Sequence, residues 1–300
     1  STPLASATEH SIAVATGRPL RRRLPRPDTT RVMVVANQKG GVGKTTTTVN
    51  VAAALAQHGL KVLVVDLDPQ GNASTALSVE HGGGTPGTYQ VLVEGMPIDE
   101  VIVECPDIAG LFVVPATIDL AGAEIELVSL VARETRLRKA LDAHLSESAE
   151  VEAQYDFVLI DCPPSLGLLT VNALTAGHEM LIPIQCEYYA LEGLSQLLHT
   201  IEQIREHLNP RLRVGAIMLT MYDARTRLAA GVADEVRTHF PEVVLKTAIP
   251  RSVRISEAPS YGQTVLTYDP GSAGALSYLE AAAELAHQIE DTHDHQEGTA

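Results

Sequence analysis

Residues 32–50 read VMVVANQKGGVGKTTTTVN, and this stretch decides the fold. The apolar, mostly β-branched residues at 32–36 predict a buried strand. The glycines at 40, 41 and 43 then remove the side chains that would keep the backbone away from a ligand. The helix expected from Lys44 onward turns its positive end and its unpaired N–H groups toward this loop. The stretch therefore predicts a strand, an anion-binding loop and a helix start, with Lys44 as a mobile positive charge.

The loop departs from the general phosphate-loop pattern of glycine, four residues, glycine, lysine and then serine or threonine. Gln38 stands where that pattern has its first glycine. The segment KGGVGKTT at residues 39–46 instead resembles the deviant phosphate loop of the ParA/MinD family of ATPases. In such a loop Lys44 reaches the β- and γ-phosphates, and the Thr45 hydroxyl binds magnesium. The alternative interpretation, a glycine-rich turn with chance lysines, is disfavoured by the strand before it and the threonine-rich helix after it.

Composition favours one main α/β domain in the cytoplasm. The chain has 300 residues, of which 45% are hydrophobic, and no internal repeat is evident. We expect neither a membrane-spanning helix nor a secretory signal, because no long apolar run occurs and the first residues lack an apolar stretch before a cleavage site. The three cysteines, Cys105, Cys162 and Cys186, are widely spaced and fit buried reduced thiols.

The net charge of −15 is unevenly distributed. Residues 1–30 contain five arginines and two acidic residues, a net of +3, which leaves −18 for the remainder. Prolines and small polar residues give this segment no helical period, so residues 1–30 are predicted to be a disordered basic arm. The arm could contact nucleic acid, anionic lipid or protein, or could be a solvated extension. Residues 291–300 are predicted to be a disordered acidic tail, after an ATPase domain at residues 31–290.

Two further segments end an apolar strand on an aspartate. VDLDPQGN at residues 65–72 carries Asp66 and Asp68, and FVLID at residues 157–161 ends on Asp161. The carboxyl ends of parallel strands are where doubly wound sheets bind their ligands. Asp68 is therefore the candidate for chemistry, although a turn aspartate before a proline is the ordinary explanation. The position of Asp161 suits a carboxylate that holds magnesium.

Strands and helices alternate along the rest of the chain. Helices are predicted at residues 119–130, 133–145, 188–208, 228–240 and 274–289, and strands at 111–115, 180–184, 214–221 and 243–249. This alternation predicts an α/β fold with a doubly wound, mostly parallel sheet and helices on both faces.

A resemblance to ParA proteins of the Soj type covers nearly all of residues 31–290. It rests on motifs that agree in order: ANQKGGVGKTT, VDLDPQGN, PATIDLAGAEIELV, DCPPSLGLLTVNALTA, QCEYYALEGL, TMYDART and IPRSVRISEAPSYG. The resemblance implies an ATPase that uses ATP and Mg²⁺ and forms a homodimer when ATP is bound. In that dimer Lys39 would cross to the nucleotide of the partner.

The resemblance also implies roles for individual residues. The catalytic residues would be Lys39, Lys44 and Asp68, and the magnesium-site residues would be Thr45, Asp68 and Asp161. Nucleotide binding is expected at Lys39, Gly40, Gly41, Val42, Gly43, Lys44, Thr45, Thr46, Pro250 and Ser252. Many relatives have asparagine where Ser252 stands, which leaves that base contact open. Arg225 and Arg254 resemble arginines that bind double-stranded DNA without sequence preference.

Three functional hypotheses follow in order of preference. The first is a DNA-segregation switch on the nucleoid, in which a ParB-like centromere-binding protein stimulates slow ATP hydrolysis and release from DNA. The second is a MinD-like membrane-associated positioning ATPase, which requires a basic amphipathic helix at the C-terminus. The sequence HQIEDTHDHQEGTA at residues 287–300 is acidic and polar, so no membrane partner is expected. An electron-transfer ATPase like the nitrogenase iron protein is disfavoured because its cysteine signature is absent.

Overall fold

The computed structural model describes residues 23–147 and 154–294. Strands β1 to β7 span Arg31–Val35, Val62–Asp66, Val103–Glu104, Leu111–Val114, Phe157–Asp161, Glu179–Gln185 and Arg213–Thr220. They form one sheet in the order β3-β4-β2-β5-β1-β6-β7, and only the β3–β4 pair is antiparallel. The predicted α/β fold with a mostly parallel sheet is confirmed, whereas the short edge strand β3 was not predicted.

Helices cover both faces of this sheet. Helices α1 to α10 span Lys44–Gln57, Asn72–Ala76, Leu120–Leu127, Arg136–Glu147, Leu168–Ala176, Ala190–His207, Arg227–His239, Val253–Glu257, Val265–Tyr268 and Ala273–Asp294. Shorter turns of π- or 3₁₀-helix cover Gln90–Glu94, Ile98–Glu100 and Ala258–Tyr261.

The central strand β1 shows why the sheet must be covered on both sides. Met33 and Val35 belong to one hydrophobic cluster, which includes residues of α1 and α10. Val32 and Val34 belong to the opposite cluster, which includes residues of α5 and α6. Successive side chains of a strand point to opposite faces, so a strand buried on both faces is apolar throughout. The predicted thiols Cys105, Cys162 and Cys186 are buried and free of disulfides.

The register of the central strands brings their carboxyl ends to one edge. Val35 of β1 lies beside Asp161 of β5, which in turn lies beside Asp66 of β2. The loop after β1 and both aspartate-bearing strand ends therefore share a single edge of the sheet.

The strand predicted at residues 243–249 is wrong. The segment touches β7 through an isolated bridge between Ile217 and Val244 and does not form a continuous ladder. The N–H groups of Lys246 and Thr247 donate instead to the carboxylate of Glu284 in α10, at 2.7 and 2.9 Å. Because the Thr247 N–H is taken by a side chain, it cannot continue the pairing with β7, and the next contact is the Ile249 N–H donating to Leu219 O at 2.8 Å.

One predicted helix ends earlier than expected, and another begins later. The helix predicted at residues 119–130 covers Leu120–Leu127, and the one predicted at 133–145 begins only at Arg136. The start of α4 is set by Asn172, whose side-chain oxygen accepts from the Leu137 N–H at 3.2 Å, while its amide donates to Arg133 O at 2.8 Å. A buried side chain from α5 therefore fixes this boundary.

The two predicted terminal segments are only partly within the described residues. Of the arm at residues 1–30, residues 1–22 lie outside them, and in the remainder Leu24 is buried in the core and Arg26 lies 3.8 Å from Asp156. Of the tail at residues 291–300, the first four residues continue α10 and the others lie outside the described range. Among the helices of the described residues, none has both the length and the apolar character needed to cross a bilayer.

Candidate active site

The loop between β1 and α1 has the backbone geometry of an anion cradle. Gly41 and Gly43 have φ values of 76° and 87°, a left-handed conformation that side chains with a Cβ rarely adopt. Apart from the adjoining residues, no heavy atom of the described part of the chain lies within 4 Å of the place that a Cβ would take on Gly40, Gly41 or Gly43. The loop is fixed from behind by Thr220, whose hydroxyl donates to Val42 O at 2.8 Å. Its N–H groups and the start of α1 are therefore held ready for an anion.

Lys44 is a buried cation at the start of α1, with 7% of its surface exposed. Its ammonium donates to Lys39 O at 3.1 Å, so it folds back along the loop. Burial lowers the pKa of Lys44, while the negative charges of Asp161 and Asp68 act in the opposite direction. A desolvated lysine beside a glycine loop can bind a phosphate group more strongly than an exposed one.

Asp161 is fully buried at the end of β5 and is hydrogen-bonded on both oxygens. The Thr45 hydroxyl donates to Oδ2 at 2.7 Å, and the Thr48 hydroxyl lies 2.8 Å from Oδ1. Burial raises the pKa of Asp161 to about 8, with a further contribution from the charge of Asp66. A carboxylate that is costly to ionise alone is well suited to a bound cation, which would stabilise its charged form.

Asp66 ends β2 and Asp68 follows it, at the same edge of the sheet. Asp66 is fully buried, and burial raises its pKa to about 6. Asp68 is 8% exposed, and its Oδ1 accepts from the Gln70 N–H at 3.0 Å. The Asp68 N–H donates to Asp66, Asp66 lies beside Asp161 in the sheet, and Thr45, which follows Lys44, donates to Asp161, so the structure brings these predicted site residues to one edge.

Lys39 is held within its own protomer. Its ammonium pairs with the carboxylate of Glu187, which follows β6, and its backbone N–H donates to Asn37 Oδ1 at 3.0 Å. The side chains of Lys39 and Glu187 are 43% and 36% exposed, so the pair is open to solvent. A change of partner for Lys39 therefore requires only the loss of a surface ion pair.

Pro250 and Ser252 lie beyond the end of β7. Pro250 forms an isolated bridge with Tyr222, and the Arg251 N–H donates to Tyr222 O at 3.1 Å. Ser252 directly precedes α8. These contacts connect the segment to the edge of the sheet that carries the loop.

The two arginines predicted to bind DNA are exposed and paired with acidic residues. Arg225, 88% exposed, makes two hydrogen bonds to Asp223 at 2.9 and 2.8 Å. These bonds lower the pKa of Asp223 to about 2. Arg254, 56% exposed, lies 3.4 Å from Glu257 and 3.3 Å from Asp269.

Sequence reasoning missed several side chains that build the site. Sequence reasoning could have found Thr48. It lies three residues after Thr45 and four after Lys44 on the predicted helix, and residues at these spacings share one face of a helix. Ser74 and Glu187 carried no such signal. Each reaches the site through a contact that depends on the fold.

Comparison with known proteins identifies the family. A family described as an AAA domain matches residues 30–214. The sporulation initiation inhibitor protein Soj of Bacillus subtilis is 52% identical over 85% of this chain and 98% of its own length. The chromosome partitioning protein ParA of Myxococcus xanthus is 49% identical over 85% of this chain and 87% of its own. The chain belongs to the ParA/Soj family of chromosome-partitioning ATPases.

Solved structures agree with this fold. A cobyrinic acid a,c-diamide synthase of Mycobacterium smegmatis, with a bound ATP analogue and magnesium, is 37% identical over 88% of this chain and 97% of that chain, with a TM-score of 0.73. The septum site-determining protein MinD of Pyrococcus horikoshii, complexed with Mg-ADP, is 26% identical over 86% of this chain and 96% of that chain, with a TM-score of 0.67. Both are less similar in sequence than the two family members above, and the ParA/Soj relationship takes precedence over the MinD-like alternative.

Proposed function

We propose that this ATPase is an ATP-dependent DNA-segregation switch that uses Mg²⁺ and dimerises with ATP bound. The observation that carries the proposal is the convergence of the glycine loop, Lys44, the Thr45–Asp161 pair and Asp68 at one edge of the sheet. Phosphoryl transfer needs little more from a protein than such positioning and charge. The nucleotide would lie along residues 39–46, with Thr46 in the first turn of α1.

The residues present fit a magnesium ion. The described residues contain no group of three or more His, Cys, Asp or Glu side chains that could hold a metal by itself. Magnesium, however, usually takes one or two protein oxygens and completes its shell with phosphates and water. The Thr45 hydroxyl and the Asp161 carboxylate, 2.7 Å apart, offer such oxygens, and Asp68 lies nearby. A bound magnesium would neutralise charge on the phosphates and would favour ionisation of Asp161.

Asp68 is the residue assigned to hydrolysis. Its carboxylate is at the loop edge and lies within electrostatic reach of Lys44, where it can orient and deprotonate a water molecule. Lys39 is assigned to the partner's phosphates, which its exposed position permits. In this scheme ATP closes the dimer because its terminal phosphate receives a lysine from each protomer. Pro250 and Ser252 would contact the base.

Arg225 and Arg254 are assigned to DNA phosphates. A protein of net charge −15 can bind DNA when its arginines share one face, because each phosphate contact releases counterions. Dimerisation would double the number of such contacts and so link DNA affinity to the nucleotide. Binding of this kind places the protein in the cytoplasm on the nucleoid, where a ParB-like protein would stimulate hydrolysis and release it.

The deciding experiment measures DNA binding with ATP, with ADP and without nucleotide across a salt series. We expect affinity with ATP only, decreasing steeply with salt, and Arg254→Glu should weaken it at every salt concentration. Lys44→Ala should lose ATP binding, whereas Asp68→Ala should form a stable ATP-bound dimer that binds DNA and turns over slowly. A protomer that stays monomeric with ATP in the Asp68→Ala variant would refute the proposal. Flotation with anionic vesicles tests the MinD-like alternative, for which binding to lipid but not DNA is required.

A further inference from the structure

The buried carboxylate of Asp66 accepts hydrogen bonds on both oxygens from within its own chain. Its Oδ1 accepts from the Asp68 N–H at 3.1 Å. Its Oδ2 accepts from the N–H of Ser74 at 2.9 Å and from the Ser74 hydroxyl at 2.7 Å. These contacts engage both oxygens, so the Asp66 carboxylate ties the turn of Asp68 to Ser74.

The network continues from Ser74 to a neighbouring strand. The Ser74 hydroxyl accepts from the Ala116 N–H at 3.1 Å, just after β4 ends. The Thr88 hydroxyl lies 2.6 Å from Asp66 O and 3.1 Å from Pro115 O. The turn that carries Asp68, the helix α2 and the loop after β4 are therefore joined through one carboxylate and one hydroxyl, all of which are buried.

A buried charge on an otherwise apolar strand needs an explanation other than stability. The residues before Asp66 in β2 are Val62, Leu63, Val64 and Val65, all of which are fully buried. Taking a carboxylate out of water is costly, and apolar replacements of buried charged groups are often neutral or stabilising. What a carboxylate supplies, and an apolar residue cannot, is acceptance of three donors at fixed positions.

We propose that Asp66 and Ser74 are positioning residues that fix the backbone at Asp68 and thereby place its carboxylate for ATP hydrolysis. The inference rests on the function proposed above for Asp68. Among residues 23–147 and 154–294, the Asp68 carboxylate accepts a hydrogen bond only from the nearby Gln70 N–H, so the location of that carboxylate follows its backbone. A misplacement of 1 Å in a catalytic group can cost about 100-fold in rate.

The test uses the full chain and separates placement from folding. Ser74→Ala removes the hydroxyl that donates to Asp66 and accepts from the Ala116 N–H, without changing any charge. Asp66→Asn replaces one accepting oxygen by an NH₂ group, which would face the N–H and O–H donors that now bind the carboxylate. Asn209→Ala is the stability control, because Asn209 is 6% exposed, donates to Leu174 O at 2.8 Å and Gly177 O at 2.6 Å, and lies near the start of β7, at the opposite edge of the sheet.

Turnover at saturating ATP, ATP affinity and thermal stability are measured for each variant. We expect Ser74→Ala to lower turnover about 10-fold or more with ATP affinity nearly unchanged, as misplacement of Asp68 predicts. Asn209→Ala should lose stability but keep turnover. If Asp66→Asn does not fold, Ser74→Ala decides alone. Wild-type turnover in Ser74→Ala, or a parallel loss of ATP affinity, would overturn the inference.

A double-variant cycle shows whether Ser74 acts through Asp68. In the Asp68→Ala background, Ser74→Ala should cause no further loss of turnover, because the group that it positions is already absent. An equal additional loss in that background would overturn the inference. Full turnover in Asp68→Ala alone would instead refute the proposed role of Asp68. If Ser74→Ala has wild-type turnover while Asp68→Ala is inactive, the positioning role is refuted and the proposed role of Asp68 stands.

Discussion

Thr48→Val tests the Asp161 site with the smallest change available, since it removes one hydroxyl and keeps the shape and the charge. The Thr48 hydroxyl lies 2.8 Å from Asp161 Oδ1 and 3.0 Å from Lys44 O, and it has one proton to share. A hydrogen bond to a charged group contributes about 1.5–3 kcal/mol. Its loss would therefore lower the ionised fraction of Asp161 at pH 7 by about 10- to 150-fold.

The assay is the Mg²⁺ concentration that gives half-maximal ATP turnover, measured at pH 7 and at pH 9. Because magnesium binds the ionised carboxylate, this concentration should rise by about one to two orders of magnitude at pH 7. The deficit should shrink at pH 9, because that pH lies above the wild-type Asp161 pKa of about 8 and is closer than pH 7 to the raised pKa of the variant.

Thr175→Val is the matched control for this prediction. Thr175 is also buried in a helix, and its hydroxyl has no hydrogen-bond partner within the described part of the chain. Its replacement should leave the Mg²⁺ requirement unchanged. The reasoning fails if Thr48→Val folds and has the wild-type Mg²⁺ midpoint at pH 7, or if its deficit is the same at both pH values.

Three further variants test other parts of the molecule. Glu187→Gln removes the ion pair that holds Lys39 in its own protomer. In a hydrolysis-deficient background, light scattering should therefore detect dimers at an ATP concentration about two- to fivefold lower, which corresponds to the free energy of an exposed ion pair. An unchanged ATP midpoint for dimerisation would contradict this. Asp223→Asn removes the charged partner of Arg225 and should strengthen DNA binding about two- to fivefold at low salt in a filter-binding assay. A weaker affinity for DNA in that assay would contradict this. Burial would raise the pKa of Glu179, but its arginine partners hold that pKa below the usual 4.5, so its stabilisation is present above pH 4.5 and is lost as the pH falls through the lowered pKa. Glu179→Gln should cost roughly 3–5 kcal/mol in urea unfolding at pH 7 and less below pH 4, and an equal cost at both would be inconsistent with the pairing.

The parts of the site that sequence could predict depend on short-range rules. Glycines at fixed spacing after an apolar run place Lys44 and Thr45, and an aspartate at the end of a buried strand reaches the same edge of a parallel sheet. Asp68 and Asp161 meet there because β2 and β5 are neighbours in register. The sequence pattern predicted both strands, and the general behaviour of doubly wound sheets predicted where their ends lie.

The parts that sequence could not predict depend on contacts between distant segments. The segment at residues 243–249 has the composition of a strand, but Glu284 from α10 takes two of its N–H groups. Lys39 pairs with Glu187, which lies 148 residues later in the chain. No periodicity reports such a contact, because each partner is ordinary in its own local sequence.

The charges at the loop edge give a physical reason for the proposed roles of a cation and a second lysine. Asp66, Asp68 and Asp161 lie at the same edge as the buried ammonium of Lys44. Burial, and to a smaller extent the charges of neighbouring aspartates, raises the pKa values of Asp66 and Asp161, so their charged forms are costly there. A triphosphate would add further negative charge to the same place, and repulsion between buried like charges is strong in a low dielectric. A divalent cation can offset part of this charge within one protomer, and Lys39 of the partner subunit would offset more only in the dimer. If Lys39 acts on the partner's nucleotide as proposed, nucleotide affinity and dimerisation should be coupled through the charge balance at this edge, because the second lysine would be supplied only in the dimer.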